Sequence, residues 1–237
     1  MQLNEVKALI TGGVSGLGLA VARKVVAGGG QAVLLDINDE AGAAAEAELG
    51  GAVTYVRTDV TNEEGVTDAV KLAVDHMGMV NAAINCAGII GAGRVLGREA
   101  PMALEFFSKV IQVNLVGSFN VIKAAGAAME SNPPGEDGER GVIISTASVA
   151  ATDGQIGQAA YSASKAGIVG MTLPVAREYA RIGVRVNAVA PGIFWTPMVD
   201  GMPEHIQESL SASIPFPSRL GKPEEYAELV AHIMENG

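Results

Sequence analysis

The chain has little cysteine, little histidine and a deficit of positive charge, and each shortage excludes a class of protein. Its one cysteine, Cys86, cannot form a disulfide within the chain, which favours a reducing compartment. The three histidines lie far apart and no metal-ligand spacing is present, so we predict no metal site. Sixteen basic against 26 acidic residues give a net charge of −10, which argues against non-specific binding to nucleic acid.

Long apolar runs and targeting features are also missing. No apolar stretch has the length that spans a bilayer, so we expect no membrane partner. The first predicted strand begins at Val6, which leaves no room for a signal or transit peptide, and we therefore expect a cytoplasmic protein. With 237 residues the chain can bury one full core, and we predict a single domain over 1–237.

Short apolar segments alternate with helical patterns along most of the chain. Strands are predicted at 6–10, 32–35, 53–56, 80–85, 141–145 and 184–190. Helices are predicted at 19–27, 63–76, 103–129, 158–181 and 223–235. Strands separated by helices imply parallel crossovers, so the predicted class is α/β: a Rossmann-like, doubly wound parallel sheet with helices on both faces. In such sheets ligands bind beyond the carboxyl ends of the strands.

A glycine cluster lies between the first strand and the first helix. The segment T-G-G-V-S-G-L-G places Gly12, Ser15, Gly16, Leu17 and Gly18 where backbone amides can approach a pyrophosphate at the positive end of a helix. The spacing differs from the G-x-G-x-x-G dinucleotide fingerprint, and an ordinary tight turn between strand and helix is the alternative.

An acidic residue ends the second strand. Asp36 follows the glycines by roughly twenty residues, a position from which a carboxylate accepts hydrogen bonds from the adenosine ribose and repels a 2′-phosphate. Its neighbours Leu35, Ile37 and Asn38 supply no arginine to bind such a phosphate, so we predict NAD rather than NADP as cofactor. The alternative for Asp36 is a helix N-cap or a turn residue.

A tyrosine and a lysine four residues apart, with a serine upstream, suit proton transfer at an alcohol or carbonyl. Tyr161 and Lys165 share one face of a predicted helix. A free tyrosine has a pKa of about 10, and a fixed positive charge nearby favours the phenolate, so we expect Lys165 to lower the pKa of Tyr161. Ser148 could hold a substrate oxygen; a structural role in a Ser/Thr-rich loop is the alternative.

Taken together, these segments resemble the short-chain dehydrogenase/reductase family. The matching features follow the family's order over nearly the whole chain: T-G-G-V-S-G-L-G, Asp36, Asp59-Val60, N-C-A-G at 85–88, Asn114, Ser148, Y-S-A-S-K at 161–165 and P-G-I-F-W-T at 191–196. Within the family, the segments around Tyr161 and I-P-F-P-S-R-L-G are most similar to the type 2 enzymes that act on 3-hydroxyacyl-CoA and also on hydroxysteroids.

The resemblance implies an oxidoreductase that transfers a hydride between NAD and a secondary alcohol or ketone. A 3-hydroxyacyl-CoA thioester is the expected substrate. A 3-oxoacyl thioester reductase or a hydroxysteroid dehydrogenase is the alternative, and a non-catalytic NAD-binding scaffold is a more distant one. The resemblance also implies a homotetramer, assembled through the long helices and the C-terminal region.

The resemblance further implies residue roles. Tyr161 would be the general acid/base, Lys165 would lower its pKa and bind the nicotinamide ribose, and Ser148 would hold the substrate oxygen. Asn114 would bend its helix and position a water in a proton relay, with a buried structural amide as the alternative. The expected substrate contacts are Ser148, Gln158 and Tyr161. The expected cofactor contacts are Gly12, Ser15, Gly16, Leu17, Gly18, Asp36, Asp59, Val60, Cys86, Gly88, Tyr161, Lys165, Phe194 and Thr196.

Two of these contacts have simpler alternatives. Asp59 could be only a turn residue. Cys86 is expected to be a small core residue rather than a nucleophile, because no histidine partner is close in sequence.

Two segments are expected to decide substrate choice. Residues 196–220 are predicted to form a mobile lid over the cleft, with core packing as the alternative. Its apolar side chains are Met198, Met202, Leu210, Ile214 and Phe216. Residues 91–102 would form the other rim, where Arg94 and Arg98 could attract a CoA phosphate or simply be solvated.

The family's final strand is expected to be absent from this sequence. The last predicted helix, 223–235, is followed only by Asn236 and Gly237. A missing strand would leave the strand at 184–190 as an exposed edge of the sheet.

Overall fold

One parallel sheet organises the fold. The computed structural model describes residues 1–201 and 204–237. The strands are β1 (Lys7–Thr11), β2 (Gln31–Asp36), β3 (Val53–Arg57), β4 (Ala82–Asn85), β5 (Gly141–Thr146) and β6 (Val184–Val189). Their order is β3-β2-β1-β4-β5-β6 and every pairing is parallel. This arrangement confirms the predicted Rossmann-like fold class, and its strand order reverses between β1 and β4.

Helices cover both faces of the sheet. They are α1 (Gly16–Ala27), α2 (Asp39–Leu49), α3 (Glu63–Met77), α4 (Leu104–Ile111), α5 (Gly117–Met129), α6 (Ala159–Tyr179), α7 (Pro197–Asp200), α8 (Glu204–Ala212) and α9 (Pro223–Glu235). The sequence pattern did not predict α2, because this helix buries only Gly42 and Ala45 and so shows no apolar period. Its start is fixed by Asn38, whose side chain accepts a hydrogen bond from the Ala41 N–H.

Alternate strand residues pack into two separate cores. In β1, Ala8 and Ile10 face the helices α1 and α9, whereas Leu9 faces α3 and α5. The same alternation divides the other central strands, and all of these side chains are fully buried. Burying a side chain as large as that of Leu9 or Ile10 contributes about 1.5–3 kcal/mol. Burial on both faces explains why the strands appear in sequence as continuous apolar runs.

The longest helical run has a bulge in its middle. A π-helical turn at Gln112–Val116 joins α4 to α5, and the N–H of Gly117 donates to the carbonyl of Gln112, five residues back. By length and composition alone, the run Leu104–Met129 could cross a membrane. The expectation that no apolar run is long enough was therefore wrong. Half of its most apolar window is buried within the protein.

The strand β6 lies at one edge of the sheet, and the described residues contain no seventh strand. The end of α9 is fixed beside this edge by Arg185 of β6. Its guanidinium donates to the carbonyls of Ile233 and Met234 and also bonds Glu139.

Candidate active site

The loop after β1 packs too closely for side chains at two of its glycines. Gly12 has a positive φ of +61°, and a Cβ there would lie 2.8 Å from the backbone nitrogen of Ala87. A Cβ on Gly18 would lie 2.2 Å from the carbonyl oxygen of Gly12. The start of α1 therefore lies directly against the loop, an approach that only glycine permits.

The first turn of α1 is open to an anion. Ser15 occupies the N-cap position, but its exposed side chain makes no capping hydrogen bond. Gly16 has a φ of +49°, and a Cβ there would come within 3.4 Å of Thr196. Uncapped N–H groups and the helix dipole favour a negatively charged group at this point. The diphosphate of a dinucleotide fits the glycine cradle formed by the loop after β1 and the first turn of α1. The close approach of Gly16 to Thr196 places Thr196 on the phosphate side of the cleft.

Asp36 fulfils a turn role and still offers an oxygen to a ligand. Its Oδ1 accepts hydrogen bonds from the N–H groups of Ile37 and Asn38, at 2.8 and 3.1 Å. Its Oδ2 makes no hydrogen bond to the described residues. The carboxylate is thus fixed in orientation with one oxygen available for a ribose hydroxyl.

Asp59 and Val60 lie beyond the end of β3. Asp59 is exposed, and its Oδ1 accepts hydrogen bonds from the N–H and hydroxyl of Thr61. Val60 is buried against Gly117, and its carbonyl accepts a bond from Asn120. The Val60 side chain belongs to the core, so the predicted contact with adenine would be made by the Val60 backbone.

Ser148, Tyr161 and Lys165 meet beyond the end of β5. Ser148 is buried at the start of a short 3₁₀ turn, and its Oγ accepts a hydrogen bond from the Ala150 N–H at 3.1 Å. This bond is the structural role given above as the alternative, and it leaves the serine hydroxyl free to donate. Lys165 lies one turn after Tyr161 on α6, with its Nζ 5.7 Å from the phenol ring centroid.

The pKa values of these groups differ from the sequence-based expectation. Burial raises the pKa of Tyr161, and hydrogen bonding with Ser148 opposes this with a smaller effect. In the protein alone the net pKa of Tyr161 is therefore raised, so the expected net lowering was wrong, although the charge of Lys165 still favours the phenolate. The Lys165 ammonium donates to the Thr146 carbonyl at 2.7 Å, and burial lowers its own pKa to about 8. The Lys165 ammonium bonds the Thr146 carbonyl and lies 5.7 Å from the ring centroid of Tyr161, and burial of the phenol outweighs its charge.

Asn114 connects the catalytic helix to the loop after β4. The residue is fully buried in the π-helical turn; its Oδ1 accepts from the Ile89 N–H, and its Nδ2 donates to the Ile89 carbonyl and to Ser164 Oγ. Ser164 in turn donates to the Tyr161 carbonyl. A Cβ on Gly88 would lie 3.2 Å from Asn114 Oδ1 and 3.8 Å from Lys165 Nζ. The structural role of this amide is therefore present, and the four catalytic candidates belong to one connected group.

Cys86 faces inward. Its N–H donates to Thr11, and its thiol lies 3.5 Å from Thr146 Oγ1 and 3.8 Å from the Tyr226 hydroxyl. Thr146 and Tyr226 bond each other at 2.7 Å. Burial raises the pKa of the Cys86 thiol, so it remains protonated at neutral pH and is a poor nucleophile.

The substrate side is built from loops. Gln158 contributes to a cleft of about 380 Å³ beside the Ser148 turn, together with Ala150, Gly154 and Ser162. Its Oε1 accepts a bond from the Gln155 N–H.

The segment 196–220 is closed at its base by a bridge between Phe194 and Gly221. Phe194 also packs edge-on against Tyr226, at 6.4 Å between ring centroids. Phe216 is 91% exposed, and Leu210 and Ile214 are only partly buried, so these side chains do not form core. Met202 and the side chain of Met198, both named above for the lid, lie outside the described part of the chain.

The opposite rim, 91–102, is tied to the catalytic loop. The Gly93 N–H donates to the Gly157 carbonyl at 2.8 Å. Leu96 is 76% exposed. Arg94 and Arg98 are exposed and make no hydrogen bond or ion pair with the described residues. Among those residues, no three His, Cys, Asp or Glu side chains are grouped as a metal site.

Sequence reasoning missed three residues around the site. Tyr226 comes from α9, 61 positions after Lys165, and no local motif marks it. Arg57 lies beside Asp36 only because β2 and β3 pair in register. Ser164 was detectable, because it stands three residues after Tyr161 and so on the same face of the helix.

Sequence and structure comparisons find proteins similar to this chain. Residues 6–207 match the sequence pattern of the short chain dehydrogenase family. The chain is 52% identical over 231 residues to a Homo sapiens protein named 3-hydroxyacyl-CoA dehydrogenase type-2, covering 97% of this chain and 88% of that protein. A Drosophila melanogaster protein of the same name is 49% identical over 230 residues, covering 96% and 90%. A crystal structure of 3-hydroxyacyl-CoA dehydrogenase type-2 from Mycobacterium avium is similar with a TM-score of 0.92 at 39% identity, covering 97% and 90%.

Proposed function

The chain belongs to the short-chain dehydrogenase family, and on that premise we propose that it oxidises the hydroxyl of a 3-hydroxyacyl-CoA thioester with NAD as the hydride acceptor. One observation carries the proposal. The group formed by Ser148, Tyr161 and Lys165 lies beyond the same sheet edge as the open glycine cradle of α1, with Ser148 and Lys165 buried and Tyr161 partly exposed. The name shared by relatives about half identical over nearly the whole chain supports the choice of substrate.

The residues of this chain divide the work of the reaction. Bound NAD supplies the electrophilic carbon that accepts the hydride. The Ser148 hydroxyl, whose proton is not used by the bond from Ala150, holds the substrate oxygen and orients the substrate hydroxyl toward Tyr161. Tyr161 removes the hydroxyl proton in oxidation and returns it in reduction. Lys165, fixed by the Thr146 carbonyl, supplies the positive charge that stabilises the phenolate.

The preference for NAD is assigned to Asp36. Its free Oδ2 is oriented by the two backbone bonds to Oδ1, so it can accept from a ribose hydroxyl. The same charge repels a 2′-phosphate. A thioester reductase that uses NADPH is the competing function, and Asp36 argues against it.

Substrate choice is assigned to the two rims. Leu96, Ile156 and Phe216 expose apolar side chains on the loops of the substrate side, at 76%, 85% and 91% exposure. These side chains would contact an acyl chain. Arg94 and Arg98 are cations without partners among the described residues, and they would attract the phosphates of CoA.

A homotetramer and a cytoplasmic location are parts of the same proposal. Phe119 on α5, with Val169 and Leu173 on α6, are exposed to 48%, 48% and 56%. Burying such side chains between copies would be favourable. Light scattering at micromolar concentration should give four times the mass of one chain, and a monomer would contradict this part.

A substrate screen followed by NADH absorbance tests the function. We expect 3-hydroxyacyl-CoA substrates to be oxidised with a kcat/KM at least about tenfold above those of steroids and small alcohols, and NAD to be preferred over NADP. Preference for NADPH with 3-oxoacyl thioesters would replace the proposal with the reductase. NAD binding without turnover of any alcohol would indicate a non-catalytic scaffold.

A further inference from the structure

The strand pairing places an arginine beside Asp36. Arg57 at the end of β3 is the ladder partner of Asp36 at the end of β2. Its guanidinium is 61% exposed on the side-chain scale and donates to the carbonyl of Ile37, the residue that follows Asp36. A cationic group therefore lies next to the carboxylate that is assigned to the ribose.

This arginine is already occupied by a second carboxylate. Asp39, the first residue of α2, accepts from Arg57 Nη1 through its Oδ2 at 2.8 Å. Its Oδ1 accepts from the Tyr55 hydroxyl at 2.9 Å, and that hydroxyl lies 3.1 Å from the Asp36 carbonyl. Tyr55 thus fixes Asp39 in the position from which it binds Arg57.

We propose that Arg57 is a latent 2′-phosphate-binding residue and that Asp39 keeps it unavailable. Discrimination against NADP is then divided between two carboxylates. Asp36 repels the phosphate directly, and Asp39 competes with the phosphate for Arg57. The inference rests on the proposed assignment of the adenosine ribose to Asp36.

The chemistry of the three groups supports this division. A guanidinium binds phosphate through two parallel N–H bonds, which is stronger than its bond to a single carboxylate oxygen. The 2′-phosphate would replace the ribose hydroxyl assigned to Asp36, so it would enter at the residue whose neighbour Arg57 already contacts. An exposed ion pair such as Arg57–Asp39 is weak, so Arg57 can change partners once the repulsion from Asp36 is gone.

Binding measurements on combined variants test the proposal. Dissociation constants for NADP, NAD and adenosine 2′,5′-bisphosphate are measured by calorimetry, so the result does not depend on turnover. Asp36→Ser should bind NADP more tightly than the unchanged protein does. Asp36→Ser/Asp39→Asn should bind it about a further tenfold more tightly. Adding Arg57→Gln to this double variant should remove that further gain in NADP affinity. It should change the affinity for NAD by less than about twofold.

The variants are chosen to separate charge from structure. Asn at position 39 keeps an oxygen for the Tyr55 hydroxyl, and thermal melting checks that each variant folds. Arg23→Gln is the matched control, because Arg23 also pairs with a carboxylate of α2, Glu48 at its opposite end. Like Arg57→Gln, this variant removes one positive charge, but at a position away from the site. It should leave the affinity for NADP unchanged.

Two results would overturn the inference. In the first, Arg57→Gln lowers the affinity for NADP by the same factor whether residue 39 is Asp or Asn. In the second, Arg57→Gln does not lower the affinity for NADP with either residue at position 39. If an Asp36 variant does not fold, Asp39→Asn alone should tighten NADP several-fold, and no tightening would again overturn the idea. Failure of the unchanged protein to bind NAD would instead refute the proposed function.

Discussion

The phosphate side and the substrate side of the cleft are built in opposite ways. On the phosphate side the backbone of the glycine loop lies so close to α1 and to the β4 loop that a single Cβ at Gly12 or Gly18 would overlap backbone atoms. On the substrate side, Ile156 and Phe216 extend from loops with most of their surface exposed. The first side tolerates few sequences, whereas the second can change without disturbing the fold.

This contrast shows how one catalytic group can serve many substrates. Ser148, Tyr161 and Lys165 lie between the two sides, where Ser148 is held by a bond from Ala150 and Lys165 by a bond to Thr146. Changes in the rims leave these bonds intact. The chemistry is therefore fixed together with the cofactor cradle, while selectivity is left to the loops.

The largest expected effect tests the catalytic group between the two sides. Tyr161→Phe should lower kcat by about 10³-fold or more, because it removes the hydroxyl assigned to exchange the substrate proton, while the Kd for NAD changes by less than about threefold. Stopped-flow absorbance and fluorescence titration measure the two quantities. Tyr179→Phe is the matched control: its hydroxyl, on the same helix, donates to the Ile122 carbonyl and to no other described residue. Retained turnover in the Tyr161 variant would contradict the mechanism.

The next effect tests the closeness of packing on the phosphate side. Gly18→Ala should lower the free energy of unfolding by about 2–3 kcal/mol and weaken NAD binding, since the new methyl would meet the Gly12 carbonyl at 2.2 Å. In contrast, Gly170→Ala places its methyl on α6 with no atom within 4 Å. The Gly170→Ala variant should raise the free energy of unfolding by about 0.5–1 kcal/mol. Urea denaturation compares them, and equal stabilities would refute the contrast.

A smaller effect concerns the buried lysine between the two sides. Lys165→Met should raise the free energy of unfolding at pH 7 by about 1–3 kcal/mol, although it removes the positive charge that the reaction needs. Burial has lowered the lysine pKa from 10.5 to about 8, so below pH 8 the folded protein holds an unfavourable buried charge. Between pH 8 and 10.5 the lysine is neutral when folded but charged when unfolded. The unchanged protein therefore gains stability as pH rises, and the advantage of the variant shrinks.

Denaturation at several pH values measures this trend. The exposed Lys71→Met on α3 is its control, expected to change stability by less than about 0.5 kcal/mol at each pH. An advantage of Lys165→Met that stays constant from pH 7 to 10.5 would show that burial of the charge is not its cause.

The smallest expected effect lies on the substrate side. Phe216→Ser and Ile156→Ser should each change the free energy of unfolding by less than about 0.5 kcal/mol, because both side chains are exposed. The KM for long-chain acyl-CoA should rise about threefold to tenfold with little change for short chains or NAD. Steady-state kinetics over a series of chain lengths gives the answer. A uniform change for all lengths would assign these side chains no part in chain recognition.

Local patterns were sufficient to predict the alternation of strands and helices. The strands β1 to β6 are short apolar runs, and their parallel order follows from the helices between them. The helix α2 could not be predicted, because it lies on the surface and buries only two small residues. The π-helical turn lies at Asn114, where the family resemblance implied a bent helix, but composition alone could not predict it, since one extra residue in a helical turn leaves no compositional mark.

The sequence by itself determined the fold class and the chemical types of the catalytic candidates. These depend on periodicity and on spacings of a few residues, such as that between Tyr161 and Lys165. Only the tertiary structure decided which distant groups meet. It placed Tyr226 against Thr146 and Arg57 beside Asp36, and it raised the pKa of Tyr161 by burial. Contacts between residues far apart in sequence, and the desolvation they cause, arise only when strands and helices pack.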